Sequence, residues 1–400
     1  MSAIGRVLRG EGLASAARRT GERIADALRD ARLRANATFT RSEGAAILNL
    51  SAWPIATRFG GVQVQLRSRL GAERAMRSVA LLHPGGLLMS RPRWHTRAIH
   101  DVRHALDVTG AKAIHLENTD GAPLESLMHL GVPLVVSIHD FSLFCARPHL
   151  VEEPIGRFCD YSQDLERCAR CLQRTARDQA EHRARGRALL ESAASAIFPS
   201  RFLLERHREL FSLPLNNAVV IAPGIGTNAP RANPGRAIAY VGAVKQHKGA
   251  HLLPQLIRDD AQWHIFGGGD EALLRALRGR DNVTIHGYYR GGELPSLLVR
   301  HGIGLVVTPS IWPETFGLVL SEAWLAGVPV AAFDLGAPAE RIREHGGGWL
   351  TPLASGADGL AQIIDEWRTG HRTTIVPRDI PTNAGAARTH IQHYESLGLL

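Results

Sequence analysis

The sequence predicts an α/β chain of the doubly wound type, divided into two Rossmann-like lobes. Short, uninterrupted apolar runs recur along the 400 residues, each closing on or near Gly, Pro, His or Asp. Most are separated by a helix-length polar stretch, the pattern of buried parallel strands joined by crossover helices. Eleven such runs are too many for a single compact open sheet, and a prior of roughly 100–200 residues per domain also suggests two lobes.

In the first lobe the expected strands are 45–50, 78–83, 113–117, 134–140 and 196–200. Ser212-Leu213-Pro214 then breaks a helix, which puts the boundary between Phe211 and Asn217. The second series is 219–224, 238–242, 264–268, 283–287, 305–309 and 330–334. After Leu353 the strand signal ends, and 360–367 and 386–397 read as helices joined by a Pro-containing linker. The expected domains are a basic extension over 1–43, lobes over 44–213 and 214–370, and a linker and helix over 371–400.

The formal charge of +9 favours contact with something anionic without choosing it. Aromatic residues are not interleaved with the basic ones and no zinc-finger or RNP-like pattern occurs, so nucleic acid is not an expected partner. No apolar run approaches the ~20 residues of a membrane-spanning helix. The extension holds Arg6, Arg9, Arg18, Arg19, Arg23, Arg29, Arg32 and Arg34 between apolar residues. It reads either as an amphipathic helix on an anionic membrane or as a solvated or domain-packed segment. The expected location is the cytoplasm, with a peripheral place on the inner face of a membrane as the alternative.

In open parallel sheets ligands lie beyond the carboxyl ends of the strands. Glu314 follows such an end, and Glu322 comes a little over two helical turns past the corner. The first can accept hydrogen bonds from sugar hydroxyls and the second from a ribose diol; an unrelated helix-start acid and a solvated acid are the bland alternative. Between them, Phe316, Gly317 and Leu318 open a helix whose first amides favour a phosphate. Gly60 and Gly61 allow a similar backbone approach to an anion at a helix start in the first lobe. His139 and Asp140 close a buried run, and Glu117 and Asn118 close the run before it.

Pro313-Glu314-Thr315-Phe316-Gly317, Ser321-Glu322-Ala323 and Ala326-Gly327-Val328-Pro329-Val330 together resemble the donor-binding segment of retaining GT-B glycosyltransferases of family 4, the glycosyl transferases group 1. The chain is similar to members of the surface-polysaccharide and O-antigen type. Val241-Gly242-Ala243-Val244-Lys245-Gln246-His247-Lys248-Gly249 resembles the first loop of that family's C-terminal lobe, and Phe266-Gly267-Gly268-Gly269-Asp270 its next glycine turn. Many members carry Arg directly after the first Gly, where this chain has Ala243.

The resemblance implies a GT-B fold, with two Rossmann-like lobes facing a cleft and a C-terminal helix returning towards the N-terminal lobe. It implies a nucleoside-diphosphate sugar as donor, retention of configuration and no metal for the chemistry. Lys248 would contact the donor diphosphate, Lys245 would supply a second positive charge, and Gly268 would lie near the nucleotide. Gly60 and Gly61 would face donor phosphates and acceptor, and His139 the transferring sugar. The N-terminal lobe would then be the acceptor lobe and the C-terminal one the nucleotide-sugar lobe. The expected reaction moves a sugar to a hydroxyl of a glycan or lipid-linked saccharide. A nucleotide-sugar epimerase, a glycan phosphorylase and a non-catalytic sugar-nucleotide-binding protein are the alternatives.

Cys145, Cys159, Cys168 and Cys171 fall in one insertion over 145–171. They fit a structural zinc site with the last pair as a knuckle, or buried thiols without metal. Arg167, Arg170, Arg174, Arg177, Arg183, Arg185 and Arg187 form a basic helical stretch. It suits an anionic lipid or lipid-diphosphate acceptor, or simply a solvated face.

Overall fold

The computed structural model describes residues 45–53, 61–83, 97–226 and 235–400; the basic extension and Gly60 lie outside them. In chain order the strands begin with β1 (Ile47–Leu50), β2 (Ala80–Leu82), β3 (Ala113–Leu116), β4 (Leu134–Ser137), β5 (Val151–Glu152), β6 (Arg157–Phe158), β7 (Ser195–Phe198) and β8 (Ala218–Val220). They continue with β9 (Ala237–Val241), β10 (Trp263–Phe266), β11 (Val283–Gly287), β12 (Ile303–Thr308), β13 (Val330–Phe333) and β14 (Gly348–Thr351). The described chain divides into two compact units. One holds residues 45–148, Tyr161–Gly224 and Pro381–Leu400; the other holds His149–Asp160 and Ile225–Ile380.

The first unit carries a parallel sheet in the order β2-β1-β3-β4-β7-β8. β1, β3, β4 and β7 are buried at every position, as expected of strands covered on both faces. β8 pairs with β7, so it finishes this sheet instead of starting the next one. The break expected between Phe211 and Asn217 thus moves beyond β8. An edge strand half open to solvent has no burial pattern in sequence to say which sheet it joins.

Helix Asn383–Ser396 belongs to this unit and packs on helix Gly61–Glu73. Thr382 caps it, its Oγ1 accepting from the Gly385 amide at 2.9 Å. A Cβ at Gly224 would stand 2.2 Å from the Thr382 carbonyl oxygen, so only glycine lets the two segments meet. Beneath the helix lies a buried polar network. Arg69 donates to both Glu73 and Glu117. The Tyr394 hydroxyl stands 2.6 Å from His115 Nδ1, and His115 Nε2 is 2.8 Å from Ser137 Oγ. Burial opposes the Arg69 charge, but Glu117 and Glu73 outweigh it and hold the guanidinium charged. The C-terminal helix is tied to this network through the Tyr394 hydroxyl, which accepts from Arg69 and bonds His115, as well as by apolar contact.

The second unit carries a parallel sheet in the order β11-β10-β9-β12-β13-β14. Alternation along the strands builds a core on each face. Ile238, Tyr240, Ile265, Leu305, Val307, Ala331 and Phe333 pack on one side with Leu360 and Ile364 of helix Gly356–Arg368. Ala239, Val241, Phe266, Val306, Val330 and Ala332 pack on the other with Leu294, Leu298, Leu320 and Trp324. The strand order reverses between β9 and β12, which are neighbours in the sheet though not consecutive in the chain. That reversal opens the crevice where doubly wound sheets take ligands.

Two elements lay outside the sequence expectation. β14 is four residues long and follows Gly346-Gly347, so it shows no apolar run. The antiparallel hairpin β5-β6 sits inside the Cys-containing insertion yet belongs to the second unit, where Val151 joins the core. Among the described residues no helix is long and apolar enough to cross a membrane.

Candidate functional site

The site is built where the loops after β9 and β12 meet. After Val241 the chain turns through Gly242, with φ of 142°, into a single turn, Gln246–Lys248, that ends on Gly249 in the left-handed region. A Cβ on Gly249 would lie 1.6 Å from the Pro309 carbonyl oxygen, so this glycine permits the two loops to touch. Ile311 N donates to His247 O at 3.0 Å and pins the contact. Lys248 Nζ then stands 2.9 Å from Glu314 Oε1 and 5.1 Å from the Trp312 ring centroid. Both charged groups remain part-exposed, and such pairs contribute only about 0–1 kcal/mol net. An arriving anion can therefore draw Lys248 away at little expense, while the pair keeps both charges poised in its absence.

Glu314 is fixed through its backbone. Ala337 N donates to its carbonyl at 2.7 Å, and Gly336, with φ of 73°, leaves room that a Cβ would close at 2.7 Å. The next corner is Gly317, left-handed at φ of 78°, which opens helix Leu318–Ala326 with no side-chain cap. The first amides of that helix are ready donors for an anion. Arg341 lies directly beneath. Its Nη1 donates to the Phe316 and Gly317 carbonyls at 3.1 and 3.2 Å, its Nη2 to Ser321 Oγ at 2.7 Å, and its guanidinium lies 4.0 Å from the Phe316 ring centroid. Burial pulls its pKa down to about 9, which still leaves it cationic at neutral pH.

Glu322 faces a different partner set. Burial pushes its carboxyl up to about 7, against the opposing effect of a hydrogen bond from the Gly292 amide. Tyr289 lies near enough that burial and the Glu322 charge together raise its phenol. The glycine turn after β10 closes the other side. Val244 N donates to Gly268 O at 3.0 Å, and a Cβ on Gly267 would meet the Gly242 oxygen at 1.8 Å. Lys245 is exposed on the same loop. Lys245, Lys248, Gly268, Glu314, Phe316, Gly317, Leu318 and Glu322 are thus all carried by loops and a helix start at the carboxyl ends of one sheet.

The remaining candidates belong to the first unit. His139 follows β4; burial and the Arg69 charge pull it down to about 4, so it is neutral at physiological pH. Gly61 is exposed as the first residue of its helix. Glu117 and Asn118 are occupied structurally: Glu117 pairs with Arg69, and Asn118 Oδ1 accepts from Ala52 N at 2.7 Å. They are therefore bracing residues.

The four cysteines form no disulfide. Among the described residues Cys145, Cys168 and Cys171, all in the first unit, are not gathered into a common ligand group. Arginine donors approach two of the sulfurs instead, Arg147 to Cys171 and Arg183 to Cys168, at 3.4 and 3.3 Å. The basic stretch is partly spoken for as well. Arg183 lies over the Phe144 ring at 4.0 Å, and Arg187 donates to the Phe211 carbonyl at 2.5 Å.

Residues 229–374 match the family described as Glycosyl transferases group 1. Solved structures extend the likeness across both units. Sucrose-phosphate synthase from Thermosynechococcus elongatus aligns with a TM-score of 0.61 at 18% identity, over 88% of this chain and 96% of that one. Anabaena HepE in complex with UDP and glucose aligns at 0.57 and 17% identity, over 89% and 100%. The fold is GT-B.

Curated relatives align over shorter stretches of this GT-B chain. An uncharacterized glycosyltransferase of Methanocaldococcus jannaschii is 33% identical over 154 residues, 35% of this chain and 38% of that protein. The phosphatidyl-myo-inositol mannosyltransferase of Mycobacterium leprae is 29% identical over 167 residues, 37% and 45% respectively. The chain thus aligns with less than half the length of these relatives.

Sequence reasoning missed Arg341, Tyr289 and Arg69. An arginine at helical spacing reads as a solvated face, and nothing local says that Arg341 or Arg69 points inward. Gly336 carried a usable signal, since a glycine just after an apolar strand often marks a close backbone approach.

Proposed function

We propose that this protein is a glycosyltransferase that moves a sugar from a nucleoside-diphosphate donor to a hydroxyl of a glycan or lipid-linked saccharide, with retention of configuration, as in family 4. The observation that carries the reading is the Lys248–Glu314 pair, 2.9 Å apart, beside an uncapped helix start at the reversal point of the second sheet. The match of residues 229–374 supports it. UDP bound to HepE makes UDP-sugars the first donors to test.

The barrier in such a transfer is separation of a sugar with oxocarbenium character from an anionic diphosphate. Lys248 and the amides opening helix Leu318–Ala326 would stabilise the leaving charge, with Arg341 beneath them holding the corner and adding positive potential. Freed from Lys248, Glu314 would accept from donor-sugar hydroxyls. Glu322 would accept from the ribose diol, and Lys245 would reach a phosphate oxygen from the exposed side of its loop. The leaving phosphate oxygen would take the proton of the acceptor hydroxyl as the new glycosidic bond forms. His139, neutral, and the Gly60-Gly61 loop are assigned to the transferring sugar, phosphates and acceptor. No metal is assigned to the chemistry. The protein would act in the cytoplasm, with peripheral contact to an anionic membrane where its acceptor is lipid-linked.

The test is a panel of nucleotide sugars, with and without membrane lipid extract, followed by nucleoside diphosphate release and product stereochemistry. Release that requires acceptor and yields the retained anomer is expected. Product formed without acceptor, or turnover that depends on inorganic phosphate, would replace this reading with epimerisation or phosphorolysis.

A further inference from the structure

Three histidines from three elements of the second unit come together, none of them among the residues assigned to the donor. His264 lies on β10, His286 on β11, and His301 directly follows helix Leu294–Arg300. Parallel register pairs His264 with Thr284 and then skips His286 at an irregularity between Ile265 and Phe266, and ring stacking puts His286 against both His264 and Phe266 on one face of the sheet. His264 Nδ1 and His286 Nε2 stand 2.8 Å apart. The His301 ring centroid is 4.4 Å from that of His286 and 5.2 Å from that of His264. One nitrogen from each ring lies within 4.8 Å of the others, the one such group among the described residues.

We propose that His264, His286 and His301 form a binding site for a divalent transition-metal ion of the zinc class. Each neutral imidazole offers one lone-pair nitrogen, and a set of three imidazoles suits Zn²⁺, Co²⁺, Ni²⁺ or Cu²⁺ over Mg²⁺ or Ca²⁺. Tetrahedral coordination at about 2.0–2.1 Å sets neighbouring nitrogens roughly 3.3 Å apart. The His264–His286 contact must open by about half an ångström to meet that spacing, and His301 already brings a nitrogen within 4.8 Å of both. That opening is a side-chain adjustment that leaves the strands in place.

The rings are already oriented by packing. Phe266, on the same face of β10, stacks on His286 with centroids 4.3 Å apart and planes 4° from parallel. A hydrogen-bonded pair of strand histidines would account for His264 and His286, but it assigns nothing to His301. All three are partly exposed, so an ion could enter, and solvent could fill a fourth position. The ion would tie β11, the edge strand, to β10 and to the helix covering it. It would serve as a structural brace, separate from the cysteines and from the proposed transfer chemistry.

The experiment uses the full chain stripped of metal with chelator and then titrated with Zn²⁺ by calorimetry and with Co²⁺ by visible absorption. One saturable equivalent, a Co²⁺ spectrum of a low-coordinate nitrogen site and a higher Tm with Zn²⁺ are expected. His286→Gln and His301→Gln should each weaken binding by about tenfold or more, while Cys168→Ser/Cys171→Ser should bind as the unaltered chain does. The proposal is overturned if the folded chain shows no saturable binding, if His301→Gln binds Zn²⁺ unchanged, or if the cysteine variant is the one that loses it. Circular dichroism checks each variant. If His286→Gln does not fold, His301→Gln, altered at a part-exposed helix end, decides between these outcomes alone.

Discussion

Lys248 and Glu314 show how one pair of residues can be placed for chemistry without contributing much to stability. Part-exposed and 2.9 Å apart, they contribute little net energy to the fold. Lys248→Ala should therefore melt within a few degrees of the parent, yet lower kcat/KM with a UDP-sugar by about 10²–10³, the usual effect of removing one stabiliser of developing charge. A steady-state assay beside a thermal melt checks this, and a variant of full activity would remove Lys248 from the site. Glu322 supplies a pH test. Burial raises its folded pKa from an ordinary 4.5 to about 7, so the protonated form favours the fold, and that stabilisation is lost as pH rises through about 7. A ribose diol, as a donor, needs the carboxylate. UDP affinity should accordingly strengthen as pH rises through about 7, and Glu322→Gln should flatten that dependence. Calorimetry across the range decides; an unaltered slope in the variant would assign the titration elsewhere.

At the scale of elements, the start of helix Leu318–Ala326 depends on a residue in the next helix. Arg341, in helix Gly336–His345, satisfies the Phe316 and Gly317 carbonyls and Ser321 from below. Arg341→Met keeps much of the volume but leaves those acceptors without their donor. A loss of about 1–3 kcal/mol is expected from urea unfolding, together with weaker UDP binding, because the helix-start amides lose their support. β9, β12 and β13 of this unit were readable because near-complete burial on both faces leaves an uninterrupted apolar run. β14, a Gly-Trp-Leu-Thr strand that is mostly half-buried, shows no apolar run, and the two-residue strands β5 and β6 carry too few positions to show a period. The loops were readable in part. Gly249 and Gly317 stand out as residue types, but which backbone each glycine approaches depends on where the sheet brings the opposing loop.

At the scale of the molecule, the C-terminal helix completes the unit built on β1, β3 and β4. Its dock is the network of Arg69, Glu73, Glu117, His115 and Tyr394, all buried. Arg69→Met strands the Glu117 carboxylate in the interior, while Glu73 keeps Arg77, and should destabilise that unit by about 3–5 kcal/mol. Tyr394→Phe, which removes one hydroxyl, should take away nearer 1 kcal/mol. Urea unfolding followed by hydrogen exchange in β1 and β3 would measure both. Equal effects would mean that apolar packing, and not the charge network, holds the helix.

The sequence by itself determined that the chain is α/β, that the strands of its two main sheets are parallel, and that loops after particular strands carry charge and glycine suited to a phosphate. Those properties are local, written in apolar runs, helix-start glycines and the order of elements. Tertiary structure alone decided that Lys248 meets Glu314, that Arg341 and Arg69 turn inward, that Glu117 braces instead of binding, and that three histidines distant in sequence share one face. Each of these depends on strand order and register, which bring together side chains that no short-range spacing relates.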